Sequence, residues 1–410
     1  MTPIVCEELQ SARRSLRVAA VSETWPPEVN GVARTAARFV EGLRRLGHEI
    51  QVIRPRQSAA ESARGDEILM RGMALPRYPN LRMGLPAKNA LVRLWSFRRP
   101  DVVHIVTEGP LGWSALQAAE KLKLPVVSDF RTNFHAYSAH YGAGWLCRPI
   151  LAYLRKFHNR TLTTLVPTQA MRGELAELGF RRLRVLARGV DTRQFDPRHR
   201  DERLRAQWGA GPDDPVLLYV GRLAAEKNLP ALAAACDAAS ALAPRARLVF
   251  VGDGPARREL EARFPQAVFA GTRNGAELAA YYASGDLFLF PSLTETFGNV
   301  TLEAMASGLA VVAYDYAAAR EMIGDGASGI LVPTDAPAAA FAAHAAALAS
   351  DLDRARRLGE SARREALGRG WERVVAELEA VLSAAAVQAM AKEATAISAP
   401  SAAPAITSLG

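Results

Sequence analysis

The chain has little cysteine. Its 410 residues hold three, Cys6, Cys147 and Cys236, and no two of them share a metal-binding or C-x-x-C spacing. That excludes a disulfide framework and a thiolate metal centre, leaves three ordinary thiols, and fits a reducing, cytoplasmic setting. Histidine is equally scattered, with no H-E-x-x-H and no Cys/His cluster. The one D-x-D, Asp351-Leu352-Asp353, lies in a helical region far from any strand end and reads as a solvated helix start, so no metal is expected. No apolar run approaches the ~18–20 residues that cross a bilayer. The first 17 residues mix acids and bases and lack the apolar core of a signal peptide. From residue 384 to 410 the chain is rich in Ala, Ser, Pro and Thr with no sustained apolar face, and a disordered tail is expected there.

The rest has a globular composition, 49% hydrophobic and 23% charged, and is long enough for two domains with proper cores. Charge divides unevenly. Residues 1–194 carry 30 Lys and Arg against 16 Asp and Glu, and the remainder 21 against 26. Either the excess is solvated decoration, or the N-terminal half faces an anionic partner such as a nucleic acid, an acidic substrate or a membrane surface.

Short apolar runs alternate with helical patterns, the sign of a parallel α/β sheet. Strands are predicted at 16–22, 49–55, 101–106, 125–130, 161–168 and 184–188. After the polar stretch 191–214 a second series follows, at 215–221, 247–252, 268–271, 286–292, 310–315 and 329–333. The alanine-rich stretch 335–349 keeps helical spacing. The simplest architecture is an extension (1–16), an N-terminal Rossmann-like doubly wound domain (17–194), a C-terminal one (195–383) whose last helix can pack back on the first, and the tail. The cleft between the domains is the default ligand site.

The most informative segment is Glu295–Glu303, ETFGNVTLE, between a buried strand and a helix. A glycine just before a helix leaves free N–H groups and the positive end of the dipole for an anion. Glu295 before the helix and Glu303 one turn inside it bracket that anion, which describes a nucleotide-sugar: phosphates on the N–H groups, hydroxyls on the carboxylates. Arg222 and Lys227 follow the strand 215–221. Together they would neutralise a diphosphate and stabilise it as a leaving group; alone they read as surface cations. Gly31, after the first strand, either admits a phosphate to the backbone or serves a plain turn. Gly252-Asp253-Gly254-Pro255 lacks the third glycine of a dinucleotide fingerprint and reads as a tight strand–helix turn. In residues 129–142, Arg131 and His135 lie near a strand's carboxyl end and are candidates for substrate contact, whereas His140 reads as structural. Residues 145–160 interleave apolar side chains with Arg148, Arg155, Lys156 and Arg160. They form either a core-packing helix with a basic outer face or an interfacial helix on anionic lipid, and Arg71 to Arg99 add a second basic tract.

Four segments together, PPEVNGVART, VGRLAAEKN, VFVGDGP and PSLTETFGNVTLEAMASGLAVVAYD, resemble the retaining glycosyltransferases of the GT-B type, family 4. The resemblance spans about 17–380 and is similar above all to the bacterial GDP-mannose-dependent α-mannosyltransferases. It implies the GT-B fold and a metal-independent transfer from a nucleotide-sugar, GDP-mannose, with no cofactor. Glu295 would lie at the sugar hydroxyls, the Phe297, Gly298 and Asn299 backbone at sugar and phosphates with Thr301 and Leu302 as neighbours, and Glu303 at the ribose. Arg222 and Lys227 would hold the diphosphate, Gly31 would close the phosphate site, and 271–278 would lie near the base. Relatives commonly carry histidine where Arg131 stands, so Arg131 or His135 takes the sugar contact. The implied acceptor is a lipid or glycan hydroxyl, with peripheral contact to the anionic inner face of the membrane through the basic domain and no nucleic acid. Two other readings stay open: a UDP-glucose or UDP-sulfoquinovose donor, and a non-catalytic nucleotide- or nucleic-acid-binding protein.

Overall fold

A computed structural model of the protein describes residues 15–28, 31–58, 60–75, 78–131, 147–295 and 297–398. Two compact units emerge from its contacts: Met1–Asp129 with Phe157–Thr164 and Leu378–Gly410, and Phe130–Lys156 with Leu165–Glu377. The strands among the described residues are β1 (Arg17–Val21), β2 (Glu49–Pro55), β3 (Glu67–Met70), β4 (Gly72–Leu75), β5 (Tyr78–Gly84), β6 (Val102–Ile105), β7 (Val126–Asp129), β8 (Thr163–Val166) and β9 (Leu183–Val185), then β10 (Val216–Val220), β11 (Arg247–Val251), β12 (Val268–Gly271), β13 (Leu287–Phe290), β14 (Ala310–Tyr314) and β15 (Gly329–Val332).

All twelve strands predicted from apolar runs are present. The three that were not predicted, β3, β4 and β5, lie at 67–84, where the sequence reads as part of a basic tract. β3 adds to the edge of the first sheet in parallel, and β4 and β5 form an antiparallel hairpin.

The first sheet has the order β3-β2-β1-β6-β7-β8-β9 and the second β12-β11-β10-β13-β14-β15. Every adjacent pair in the second sheet is parallel. β10 (VLLYV) and β14 (AVVAY) are buried at every position. A parallel sheet is covered on both faces, which is why these strands read as unbroken apolar runs rather than alternating ones. Val216, Leu218, Phe288, Phe290, Val311 and Ala313 enter one core, and Leu217, Tyr219, Leu287, Leu289, Ala310, Val312 and Tyr314 the other. The alanine-rich helices Leu229–Leu242 and Ala338–Ser350 share the second of these cores, where small side chains let them approach closely.

Two expectations about the C-terminal end need correction. Helix Trp371–Ser398 runs through residues 384–398, the part expected to be disordered. Alanine sustains a helix without an apolar stripe, because it loses no side-chain entropy there. Within it Trp371–Lys392 is, by length and composition, long and apolar enough to cross a membrane. The sequence reading missed this because its apolar positions are interrupted by glutamates. Val374, Leu378, Val381, Leu382 and Ala385 are buried, and Glu379 pairs with His48 of the β2 entry at 3.3 Å, so this helix has a packed face.

Candidate active site

In chain order the strands of the second sheet run third, second, first, fourth, fifth, sixth, so the direction of winding reverses between β10 and β13. Loops leaving the carboxyl ends of those two strands diverge, and the opening between them is where doubly wound sheets bind ligands. Gly221 and Arg222 leave β10 there, and residues 291–298 leave β13.

The β10 loop is held from behind. Gly252, at φ +135°, lies so close that a Cβ on it would meet the Gly221 carbonyl oxygen at 1.9 Å. The turn 252–255 is therefore a packing device against residues 221–223, and Leu223 N–H donates to the Asp253 carbonyl at 3.0 Å. The Tyr219 hydroxyl donates to the Arg222 carbonyl at 2.9 Å, and burial pushes its phenol pKa up, so it stays a neutral donor. The Arg222 backbone is thus fixed while its side chain remains 56% exposed at the rim, 3.3 Å from Glu226.

Two bonds stitch this loop to the one after β13. Asn228, in the left-handed region at φ +54°, donates its amide to the Pro291 carbonyl at 3.1 Å, and the Thr294 hydroxyl donates to the Glu226 carbonyl at 2.8 Å. Their effect is to bring Lys227 onto Glu295 as an ion pair, both side chains largely withdrawn from solvent. The Ser292 hydroxyl donates to the same Glu295 oxygen at 3.2 Å.

Helix Asn299–Ala306 starts at Gly298, which sits at φ +91° and brings no side-chain cap. A Cβ there would come within 3.2 Å of Phe290, so a larger residue would be both strained and crowded. Phe297 is buried beneath the turn, with Arg188 over its ring at 5.7 Å, and Arg188 also donates to Asn299 Oδ1 at 3.2 Å. Thr301 and Leu302 are fully buried, so their side chains belong to the core beneath the helix and only their backbone can face a ligand. Glu303, half-buried, accepts from the Tyr282 hydroxyl at 3.0 Å.

Thus Arg222, Lys227, Glu295, Phe297, Gly298, Asn299 and Glu303 share one switch point. Sequence reasoning missed the residues that hold them: Asn228, Ser292, Thr294, Arg188 and Tyr282. Asn228, wedged between Lys227 and a Leu-Pro helix start, was the one with a readable signal. Gly31 begins helix Gly31–Arg45 in the first unit, where its carbonyl accepts from Thr35 at 2.7 Å. Arg131 is buried just after β7, and His135 and His140 lie outside the described residues. Of helix Cys147–His158, Leu154 and Phe157 are buried and Arg148 is exposed, the arrangement of a core-packing helix with a basic outer face. Asp351 caps helix Leu352–Leu367 by accepting from Arg354 N–H at 2.9 Å. Among the described residues, no group of three or more His, Cys, Asp or Glu is placed to hold a metal ion.

Residues 29–194 match the family described as Glycosyltransferase Family 4, and residues 214–351 the one described as Glycosyl transferases group 1. A GDP-mannose-dependent alpha-mannosyltransferase of Mycolicibacterium smegmatis is 38% identical over 387 residues, covering 91% of this chain and 100% of that one. The chain belongs to glycosyltransferase family 4. This transferase is also 30% identical over 394 residues to a GDP-mannose-dependent alpha-(1-6)-phosphatidylinositol dimannoside mannosyltransferase of Mycobacterium tuberculosis, covering 91% of this chain and 97% of that one. Its fold matches the solved sucrose-phosphate synthase of Thermosynechococcus elongatus with a TM-score of 0.71 at 19% identity, over 89% of this chain and 97% of that one. The two doubly wound sheets are those of the GT-B fold.

Proposed function

We propose that this glycosyltransferase moves mannose from GDP-mannose to a hydroxyl acceptor with retention at the anomeric carbon. The observation that carries the reading is the Lys227–Glu295 pair standing before the uncapped helix Asn299–Ala306 at the switch point. The mannosyltransferase of M. smegmatis, which aligns along its whole length, supports this donor.

In this reading the diphosphate takes the helix N–H groups and Lys227, with Arg222 swinging in from the rim. Lys227 then bridges Glu295 and the β-phosphate, so Glu295 is positioned to accept from sugar hydroxyls rather than to attack the anomeric carbon. The leaving β-phosphate takes the acceptor's proton on the same face as an oxocarbenium-like state forms, and the cations and helix dipole stabilise its growing charge. Glu303 accepts from the ribose hydroxyls. Gly31 closes the phosphate site, and Arg131 or His135 contacts the donor sugar. No residue in this scheme requires a metal.

The acceptor is proposed to be a lipid-linked hydroxyl, met from the cytoplasmic side at an anionic membrane surface. Two observations support it: the excess of 30 cations over 16 acids in residues 1–194, and the lipid named for the M. tuberculosis relative. A panel of nucleotide-sugars, assayed for slow donor hydrolysis, tests the donor. GDP-mannose should turn over fastest; preference for UDP-glucose or UDP-sulfoquinovose would overturn it. Sedimentation with anionic vesicles at low salt tests the surface, and indifference to them would move the acceptor to a soluble glycan.

A further inference from the structure

The first sheet has the same winding as the second. Its chain order reverses between β1 and β6, and a helix, Pro110–Lys121, starts just after β6. That helix is twelve residues long, with Pro110 in its first turn and Gly109 before it. By the logic of doubly wound sheets its start suits an anion: N–H groups with no partner inside the helix, a positive dipole end and a glycine approach.

The seat is occupied by the protein itself. Glu23, two residues beyond β1, is 8% exposed. Its Oε1 accepts from Leu111 N–H at 2.8 Å and its Oε2 from Gly84 N–H at 3.0 Å, so one carboxylate binds the helix start and the end of the β4–β5 hairpin. The Glu23 N–H donates to the Thr107 hydroxyl at 2.8 Å, which fixes the backbone from which the side chain reaches. A Cβ on Gly109 would lie 2.2 Å from Oε1, so the glycine is open towards the carboxylate as a phosphate-loop glycine is open towards phosphate. Burial raises the Glu23 carboxyl pKa above the usual carboxylate range, and the N–H groups of Gly84, Leu111 and Gly112 offset that rise only in part.

We infer that Glu23 is a specificity-determining residue: its carboxylate fills the phosphate seat of the first sheet and so confines the nucleotide diphosphate to the second. The inference rests on the proposed function for the statement that the second sheet takes the diphosphate. The geometry of Glu23 is independent of it. Side-chain capping from a strand loop also ties β1, the hairpin and helix Pro110–Lys121 together at the carboxyl edge of the sheet.

The test is anion rescue. Glu23→Ala empties the seat without adding a competing group, and the whole chain is used. The variant should melt below the wild type in chloride buffer. At matched ionic strength, inorganic phosphate at about ten times its Kd for the emptied seat should raise the variant's Tm by about 3–6 °C more than it raises the wild type's. Glu23→Gln, which fills the volume with a neutral amide, should lose stability without gaining the phosphate response. A Glu23→Ala protein that responds to phosphate no more than the wild type, or a Glu23→Gln protein as stable as the wild type, would overturn the inference; if Glu23→Ala does not fold, Glu23→Gln alone decides. Titration of GDP in parallel separates the two claims. Loss of GDP binding to the wild type would remove the proposed function while leaving the phosphate rescue intact.

Discussion

Two switch points of the same winding are treated in opposite ways. Between β1 and β6 the helix start carries a built-in carboxylate, Glu23, bonded to Leu111 and Gly84. Between β10 and β13 the helix start has Gly298, no side-chain cap, and a Lys227–Glu295 pair standing in front. In the first sheet a carboxylate of the chain accepts from the helix start; in the second no side chain caps it, and the proposed function places the diphosphate there.

The largest break in the comparison should come from Lys227→Ala, which removes the cation from the open seat and leaves Glu295 without its partner. It should lower kcat/KM by about ten- to a thousandfold, the ~1.4–4 kcal/mol of a lost leaving-group contact. Near-normal turnover would remove Lys227 from the mechanism. Glu303→Ala comes next. A ribose contact persists after sugar transfer, so GDP itself should bind about ten- to a hundredfold more weakly by calorimetry, the scale of a hydrogen bond to a charged group. Unchanged GDP affinity would end the ribose role. Tyr282→Phe should cost about two- to tenfold, because it removes only the neutral hydroxyl that aims Glu303. An effect as large as that of Glu303→Ala would instead mean that Tyr282 supports the whole helix.

The last prediction concerns the folding of the first unit alone. His158 lies beside Ser128 at 3.0 Å, and burial holds its pKa down at about 3. The unfolded histidine takes a proton below pH 6.5, while the folded one does not until about pH 3. Protons therefore favour the unfolded chain across that window, and the folding equilibrium should fall by up to about tenfold per pH unit from this group, with no contribution above 6.5. In urea melts at pH 7 and pH 5, His158→Gln should flatten the difference. An equally steep difference in the variant would assign it elsewhere.

Much of this was legible in the sequence, for identifiable reasons. Buried parallel strands are continuous apolar runs, so β10, β13 and β14 were readable, and the Glu295–Glu303 segment sits directly on one of them. The hairpin β4–β5 was not, because β4 is only four residues long and the apolar residues of β5 are broken up by Pro79, Asn80 and Arg82. Helix Trp371–Ser398 was cut short because alanine gives helical propensity without a visible stripe. The supporting contacts failed to show for a different reason. Asn228 reaches Pro291, and Tyr282 reaches Glu303, across 63 and 21 positions. Only the fold brings such pairs together. Glu23 was invisible as a cap for the same reason, lying 88 positions before the helix it serves.

The central claim is that the seat after β13, and not the one after β6, takes the diphosphate. A crystal structure with GDP tests it most directly. The account predicts both phosphates at the start of helix Asn299–Ala306, within about 3 Å of its first N–H groups and of Lys227 Nζ, with Glu23 still bonded to Leu111. Phosphates seated on helix Pro110–Lys121, with Glu23 displaced, would contradict it.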